Sequence, residues 1–169
     1  PLNWGLGHAT RCIPIINELT IHNFEPIIAS DGEALLLLQK EFPNLKSFEL
    51  PSYNITYSKR ASGFKLKLIK DLPKLLKTIK KEKKYVEHII KNETISGIIS
   101  DNRFGVRHKD IPSVFITHQL RVLSGNTTWL SSKLHQNIIS KFDECWVPDY
   151  EGQPNLSGNL SHDGNFKTP

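Results

Sequence analysis

The sequence predicts an α/β fold with a Rossmann-like, doubly wound parallel sheet. Three features predict it: short apolar runs of strand length, amphipathic helical patterns between them, and a glycine-rich loop near the start. Short strands that alternate with helices favour parallel pairing with right-handed crossovers. The five predicted strands are residues 24–30, 45–50, 97–100, 113–117 and 144–147. In such folds a glycine-rich loop normally follows a strand, so we expect the first strand of the sheet to precede Pro1.

The first helix is predicted over residues 10–22, where apolar side chains recur at helical spacing. Pro14 constrains its start, because proline lacks the N–H that a helix interior requires and only the first four N–H groups of a helix have no intrahelical partner. An undistorted helix that contains Pro14 should therefore begin with Thr10 as its cap.

Three further helices are predicted from the same periodicity. Asp31 is expected to cap a helix that runs through residue 39, residues 65–91 form a long helix that Pro73 divides in two, and residues 128–140 form the last. Residues 65–84 of the long helix interleave leucines with many lysines. This stretch fits either contact with an acidic lipid surface or an ordinary amphipathic helix with a solvated lysine face, and the second interpretation is favoured.

Composition limits the class of protein. A chain of 169 residues is long enough for one well-buried α/β domain with one core. Its 22 basic against 17 acidic residues favour an anionic partner, but no nucleic-acid motif or series of stacking aromatics accompanies the charge. No apolar run has the length of a membrane span, and the two cysteines do not form a disulfide framework. We therefore expect a cytoplasmic protein, possible peripheral contact with the inner face of a membrane, and no nucleic-acid partner.

The organisation along the chain predicts one Rossmann-like domain over residues 1–150. Residues 151–169 are rich in Gly, Asn, Ser and Pro and are turn-forming throughout. We interpret them as a linker toward a further domain that lies beyond Pro169.

The loop Gly5-Leu6-Gly7-His8 is the best sequence pointer to a binding cleft. Glycines allow backbone to approach a ligand closely, and a helix N-terminus presents free N–H groups and a positive dipole end to an anion. The pattern is neither a Walker A motif nor a complete G-x-G-x-x-G. A tight turn whose glycines only relieve steric crowding explains the spacing about equally well.

Polar residues that follow the predicted strands supply the candidate chemistry, because ligands of open parallel sheets bind at the carboxyl ends of the strands. His8 is suited to act as a general base and Asp101 to orient its imidazole, although both could simply be capping residues. The candidate substrate-binding residues are Gly5, Gly7, Thr10, Arg103, His118 and Gln119. Surface or linker positions are expected for His22, His88, His135 and His162. No Cys/His spacing suits zinc and no Asp-x-Asp pair is present, so no metal site is predicted.

Three segments resemble the motifs of GT-B glycosyltransferases: Asn3-Trp4-Gly5-Leu6-Gly7-His8-Ala9-Thr10-Arg11, Ser100-Asp101-Asn102-Arg103-Phe104-Gly105 and Ile116-Thr117-His118-Gln119. The chain is similar to the group that contains the N-acetylglucosaminyltransferase of the lipid-linked peptidoglycan precursor, and to uncharacterised bacterial relatives. The resemblance implies the first of two Rossmann-like domains, which holds most of the acceptor while the second holds the sugar nucleotide. It also implies that His8 is the base, that Asp101 is its partner, and that Gly5, Gly7, His118 and Gln119 line the cleft.

One departure from this group concerns the loop itself. The peptidoglycan enzyme has a Gly-Gly-x-Gly-Gly-His loop, whereas the loop here has fewer glycines. The expected activity is transfer of a hexosyl or N-acetylhexosaminyl group from a sugar nucleotide, without cofactor or metal, to an acceptor hydroxyl that could be lipid-linked. A sugar-nucleotide epimerase of similar fold and a non-catalytic module for a phosphorylated ligand are the alternatives.

Overall fold

The structure, a computed structural model, describes residues 1–53, 64–122, 128–150 and 152–162. It has a mixed α/β architecture in which every strand pairing between the named strands is parallel, which confirms the predicted class. The chain divides into two compact units, Pro1–Ile55 and Thr56–Pro169. Each is described by itself below as unit 1 and unit 2.

Unit 1 contains two helices and a two-stranded parallel sheet. Its elements in chain order are α1 (Leu6–Ile21), β1 (Ile28–Ser30), α2 (Gly32–Glu41) and β2 (Ser47–Glu49), with Ala29 of β1 opposite Phe48 of β2. Apolar residues of both helices recur every three or four positions, as an amphipathic helix requires. Helix α1 packs against α2, and α2 packs against β1. The buried cluster consists of Ala9, Cys12, Ile16, Ile28, Ala34, Leu35 and Leu38.

The predicted start of the first helix is wrong. Helix α1 begins at Leu6 with Gly5 as its N-cap, and Thr10 lies in its second turn, where its hydroxyl donates to the Gly7 carbonyl at 3.2 Å. Pro14 is therefore a helix-interior proline. The extra turn places Ala9 in the cluster with no exposed surface, so apolar burial offsets the cost of the proline within the helix.

Unit 2 contains a three-stranded parallel sheet in the order β3-β4-β5. Its elements are α3 (Phe64–Asn92), β3 (Ile98–Asp101), β4 (Ser113–Ile116), α4 (Thr128–Ile139), β5 (Glu144–Trp146) and a short 3-10 helix (Gly158–Leu160). The central strand β4 places Phe115 in a cluster with Leu120, Ile139 and Phe142. The length of the chain predicts one core, whereas the described residues bury two clusters, one in each unit.

Helix α3 runs without a break past Pro73, so the predicted division of this helix is wrong. Pro73 is exposed, where water can bond to the carbonyl that proline leaves without a helical partner. The five predicted strands and the helix near residues 128–140 are all found. Their bounds are shorter than predicted, except that β3 keeps its predicted length and is shifted by one residue. The union of the strands in one doubly wound sheet stays a prediction.

Neither cysteine forms a disulfide bond. Cys12 is buried in unit 1, and burial raises the pKa of the half-buried Cys145 to about 11. Among the helices that the structure describes, none is long and apolar enough to cross a membrane.

Candidate functional site

The glycine loop of unit 1 forms the N-terminus of α1. Gly5 adopts φ 78° and ψ 163° as the N-cap, with no side chain capping the helix and no acidic residue in the first turn. Gly5, Leu6 and Gly7 are exposed. The N-cap residue therefore supplies no side-chain cap to this turn, and helix N-termini are the places where backbone N–H groups bind anions.

The two glycines of this loop have different roles. Gly5 has a positive φ, which side-chain-bearing residues rarely adopt. Gly7 has ordinary helical geometry, and a Cβ added there would meet no atom within 4 Å. Steric relief therefore does not explain Gly7, although it was an equal alternative on the sequence. What Gly7 provides in the structure is an exposed stretch of backbone without a side chain.

His8 is half-buried beside Arg11, one helical turn along α1. The Arg11 Nη2 lies 2.9 Å from the His8 Nδ1. Because a guanidinium only donates, Nδ1 must accept this bond, and the hydrogen of a neutral His8 ring then lies on Nε2. In this arrangement the imidazole offers a donor, not a lone pair, to a ligand. A base role for His8 requires the contact with Arg11 to open.

Asn3, at the start of the first motif, holds the N-terminus of the neighbouring helix. Its Oδ1 accepts the Ala34 N–H at 3.3 Å. The Asn3 amide lies where a Cβ at Gly32 would be, at 2.2 Å, and Gly32 also has φ 52°. Asp31 occupies the predicted cap position, but its carboxylate accepts the Ser52 hydroxyl at 2.5 Å instead of capping the helix. The Asp31-Gly32 pair was the sequence signal for this turn, and the role of Asn3 was missed.

In unit 2, Asp101 ends β3 directly beside the end of β4. It is 1% exposed and lies opposite Ile116 in the parallel register. Asn102 follows with φ 56°, donates its N–H to the Ile116 carbonyl, and places its Nδ2 at 3.4 Å from the Asp101 Oδ1. The left-handed Asn102 ends the strand abruptly, and the carboxylate of Asp101 is held at the carboxyl end of the sheet, as predicted for a strand-end residue.

Arg103, a candidate phosphate ligand, forms a buried ion pair. Its Nε donates to the Glu82 Oε1 at 2.5 Å, and the two side chains are 1% and 0% exposed. The second oxygen of Glu82 accepts the Gly105 N–H at 2.7 Å. This pair joins α3 to the loop after β3, so it gives Arg103 a structural role. Contact of Arg103 with substrate stays a prediction.

Residues 117–122, which follow β4 and carry His118 and Gln119, are held by side chains although they form no helix or strand. The Thr117 Oγ1 accepts the Gln119 N–H at 3.1 Å, while the Leu160 carbonyl accepts the N–H groups of Leu120 and Arg121 at 2.9 and 2.8 Å. Rigid loops at strand ends are where binding groups are normally placed.

Helix α4 holds the same segment from a second side. The Ser132 hydroxyl accepts the Val122 N–H at 2.9 Å, the Ser131 hydroxyl donates to the Val122 carbonyl at 3.1 Å, and the Gln136 amide reaches the Leu120 carbonyl at 3.4 Å. Five of the six backbone N–H groups of the segment therefore have a partner, as do the carbonyls of Leu120 and Val122. We refer to residues 117–122 with these contacts as the β4 loop.

His135 is a further residue of α4 that packs on the sheet, and its predicted surface position is wrong. The imidazole packs edge-on against Phe104 and Phe115. Burial lowers the pKa of His135 to about 4, against a smaller opposing effect of the Gln119 backbone. Its Nε2 is buried and has no partner among the described residues. The periodicity of α4 placed His135 near the apolar face, which was the signal available in the sequence.

Asp149, just after β5, organises the described part of the segment interpreted as a linker. Its carboxylate accepts the N–H groups of Tyr150, Leu156 and Ser157 at 2.7 to 3.0 Å, the Ser157 hydroxyl, and the His162 Nε2 at 3.0 Å. The hydrogen bonds from Leu156 and Ser157 hold the pKa of Asp149 well below its usual range. This hub positions Leu160 to bond to the β4 loop, and no pattern in the sequence indicated it.

All the candidate site residues lie in the part of the chain that the structure describes. Outside it lie residues 54–63, residues 123–127, and residues 151 and 163–169 of the predicted linker. His8 belongs to unit 1 and Asp101 to unit 2, so their pairing stays a prediction. The described residues contain no cluster of His, Cys, Asp and Glu that could hold a metal ion.

No protein-family model, curated protein or solved structure matches the chain. Function is therefore inferred from the geometry of the glycine loop and of the β4 loop, and from the motifs that these loops carry.

Proposed function

We propose that this chain is the acceptor-side half of a cytoplasmic sugar-nucleotide glycosyltransferase, and that its parallel strands belong to the doubly wound sheet of a GT-B domain. The acceptor hydroxyl attacks the anomeric carbon, the bond from that carbon to the diphosphate breaks, and the hydroxyl proton passes to a base. The observation that carries the proposal is the first turn of α1, where Gly5 and Gly7 leave a helix N-terminus exposed and without a side-chain cap.

The charge of that turn suits a leaving diphosphate. The N–H groups of the first turn and the positive end of the helix dipole stabilise negative charge as it develops, and Arg11 adds a full positive charge one turn away. The absence of a side chain at Gly7 lets a phosphate oxygen approach the backbone closely.

His8 is the base in this proposal. Its Nδ1 lone pair is held by Arg11 at 2.9 Å, and an anion at the helix N-terminus would compete for that guanidinium. Binding of the donor would then release the lone pair that a base needs. Asp101 as the partner of the resulting imidazolium stays a prediction.

In this proposal the loops of unit 2 supply the groups that bind the acceptor substrate. The buried Asp101 and the clamped β4 loop, with His118 and Gln119, lie at carboxyl ends of parallel strands, where such folds bind ligands. Fixed polar groups orient a hydroxyl nucleophile at less entropic cost than mobile ones. Thr10, whose hydroxyl donates to its own helix, is the candidate with the weakest support.

Calorimetry with sugar nucleotides tests the division of labour. The 169-residue chain and the full-length protein are each titrated with uridine and guanosine diphosphate sugars. The proposal expects tight binding by the full-length protein and weak binding by this chain alone, because most donor contacts belong to a second domain. Tight donor binding by this chain alone would contradict the assignment of the acceptor side.

The product of the full-length protein separates transfer from epimerisation. A transferase releases nucleoside diphosphate only when an acceptor alcohol is present. Epimerisation or hydrolysis of the donor without an acceptor would support the alternative enzyme instead.

A further inference from the structure

We propose that one face of helix α3 docks on an anionic lipid surface. Six lysines in the described part of this helix are exposed, and we call them the lysine face: Lys74, Lys77, Lys80, Lys81, Lys84 and Lys91. Six charges exceed the formal net charge of the whole chain, which is +5, so the rest of the chain is close to neutral. The positive charge of this protein is therefore concentrated on one element.

The lysine face lies opposite the buried side of α3. Residues three or four positions apart share one face of a helix, and four residues at these intervals are buried: Thr78, Glu82, Val86 and Ile89. From Lys74 to Lys91 the helix rises about 26 Å, at 1.5 Å per residue. The charges thus form a line that a flat surface can contact along its whole length.

No acidic side chain neutralises the middle of the lysine face. Lys77, Lys80 and Lys81 have no Asp or Glu three or four positions away in either direction. Glu82 is their neighbour in sequence, but its carboxylate is buried and paired with Arg103. In the described part of the chain, no carboxylate lies within ion-pair distance of any lysine of the face. These like charges repel one another, and an anionic surface offsets that repulsion.

A solvated helix face is the plain alternative. Such faces normally mix acidic with basic residues, because opposite charges three or four positions apart stabilise a helix. Solvation gives no reason for charges of a single sign, whereas an anionic surface does. Two apolar side chains, Leu76 and Tyr85, also border the lysine face and are 52% and 47% exposed. The apolar boundary beneath lipid headgroups accommodates both residue types.

The residue types of the face favour lipid over nucleic acid as the anion. Helix α3 contains no arginine, whose planar fork suits phosphodiesters, and no series of aromatics on which bases could stack. Lysines act as point charges, and the negative surface potential of a membrane attracts them without a specific geometry.

The contacts of α3 relate the lysine face to the candidate residues of unit 2. Helix α3 leads into β3, and the Glu82 carboxylate accepts the Gly105 N–H, from the loop after β3, at 2.7 Å. The helix therefore runs back along the strand, and its N-terminal half lies toward the carboxyl end of β3, where Asp101 lies. Lipid docking goes beyond the proposed function and does not depend on it.

Vesicle binding by matched charge variants tests the docking surface. The chain is sedimented with phosphatidylcholine vesicles that do or do not contain phosphatidylglycerol, at low and at physiological ionic strength. One variant removes half of the lysine face: Lys77→Gln, Lys80→Gln and Lys84→Gln together. Its control loses the same net charge through three exposed lysines outside α3: Lys40→Gln, Lys109→Gln and Lys133→Gln together. Binding of each protein to labelled duplex DNA is measured in parallel.

We expect wild type and the control to bind vesicles with phosphatidylglycerol almost equally, more weakly at higher salt, and not to bind phosphatidylcholine alone. The face variant should bind about a hundredfold more weakly, since each lysine contributes about fivefold. Arginine at the same three positions should preserve binding. Thermal melts check folding, and the face variant should be no less stable than wild type, because it loses repulsion between like charges.

Three results would overturn the docking surface: no binding to anionic vesicles, equal binding to both kinds of vesicle, or equal weakening by the face variant and its control. Tighter binding to duplex DNA than to anionic vesicles, lost in the face variant, would replace lipid with nucleic acid as the partner and would overturn the proposal as well.

Discussion

The imidazole of His135 lies edge-on against the ring of Phe104, with 5.5 Å between the ring centroids, so helix α4 contacts the loop that follows Asp101. The imidazole also lies edge-on against Phe115, which places it in an apolar setting. This setting favours the neutral form of His135, and its protonation should be visible in stability.

The pKa of His135 predicts a loss of stability in mild acid. The pKa is about 4 in the folded chain, against the ordinary histidine value of 6.5. Below pH 6.5 the unfolded state therefore binds a proton that the folded state does not. Stability from this group is full above pH 6.5 and falls until about pH 4, by up to roughly 3 kcal/mol. Urea unfolding of wild type and His135→Gln between pH 7 and 4 measures it.

The control for this experiment is His88→Gln, because His88 is exposed on α3. It should keep the pH slope of wild type, whereas His135→Gln should flatten it. An identical slope in all three proteins would contradict the burial of His135.

The lowered pKa of Asp149 predicts a second loss of stability, at lower pH. Its folded pKa is lowered by the hydrogen bonds from Leu156 and Ser157, so the stability it contributes is full above the unfolded value near 4 and is lost as pH falls below that value. Asp149→Asn should reduce stability at pH 6 and remove part of the slope below pH 4. The control is Asp110→Asn, which changes an exposed carboxylate. Equal effects of the two variants would count against the hub.

Gly5→Ala and Gly7→Ala should separate folding from ligand binding. Gly5→Ala should destabilise unit 1 by about 1–2 kcal/mol, because alanine is strained at φ 78°. Gly7→Ala should leave the melting temperature unchanged or slightly raised, since its Cβ meets nothing within 4 Å and alanine favours the helix. If the turn binds a diphosphate, Gly7→Ala should still weaken donor affinity in the full-length protein. Unchanged donor affinity would leave the glycine a purely local role.

Glu82→Gln should be strongly destabilising. It leaves the buried Arg103 guanidinium without its counter-charge, which typically costs about 3–5 kcal/mol. Glu87→Gln, an exposed change on the same helix, is the matched control and should cost less than about 0.5 kcal/mol. Chemical denaturation of both variants checks this, and similar midpoints would show that the pair contributes little.

Local patterns in the sequence predicted much of the fold. Apolar runs located all five strands, because buried strands need such runs, and periodicity located the helices. Two errors in the predicted helices concerned prolines. Pro14 and Pro73 lie inside helices whose tertiary burial or solvent exposure tolerates a missing hydrogen bond, and propensity alone cannot evaluate that.

The candidate site was predictable only in part. Asp101 was placed correctly at a strand end, because the end of an apolar run can be found in sequence. The partners that decide how a polar residue acts come from distant segments, as with Arg103 and Glu82, or Asn3 and Ala34. The contact of Arg11 with His8 could have been predicted from the sequence, because the two residues lie three positions apart in a helix.

Acceptor-dependent turnover is the decisive test of the proposed glycosyl transfer. The full-length protein and its His8→Ala variant are supplied with a panel of sugar nucleotides, with and without acceptor alcohols, and the release of nucleoside diphosphate is followed. We predict release only with an acceptor, and a loss of about a hundredfold or more in kcat for His8→Ala, with an unchanged melting temperature. Release of nucleoside diphosphate without an acceptor would contradict transfer to an acceptor hydroxyl. Full activity of the folded His8→Ala variant would contradict the role of His8 as the base.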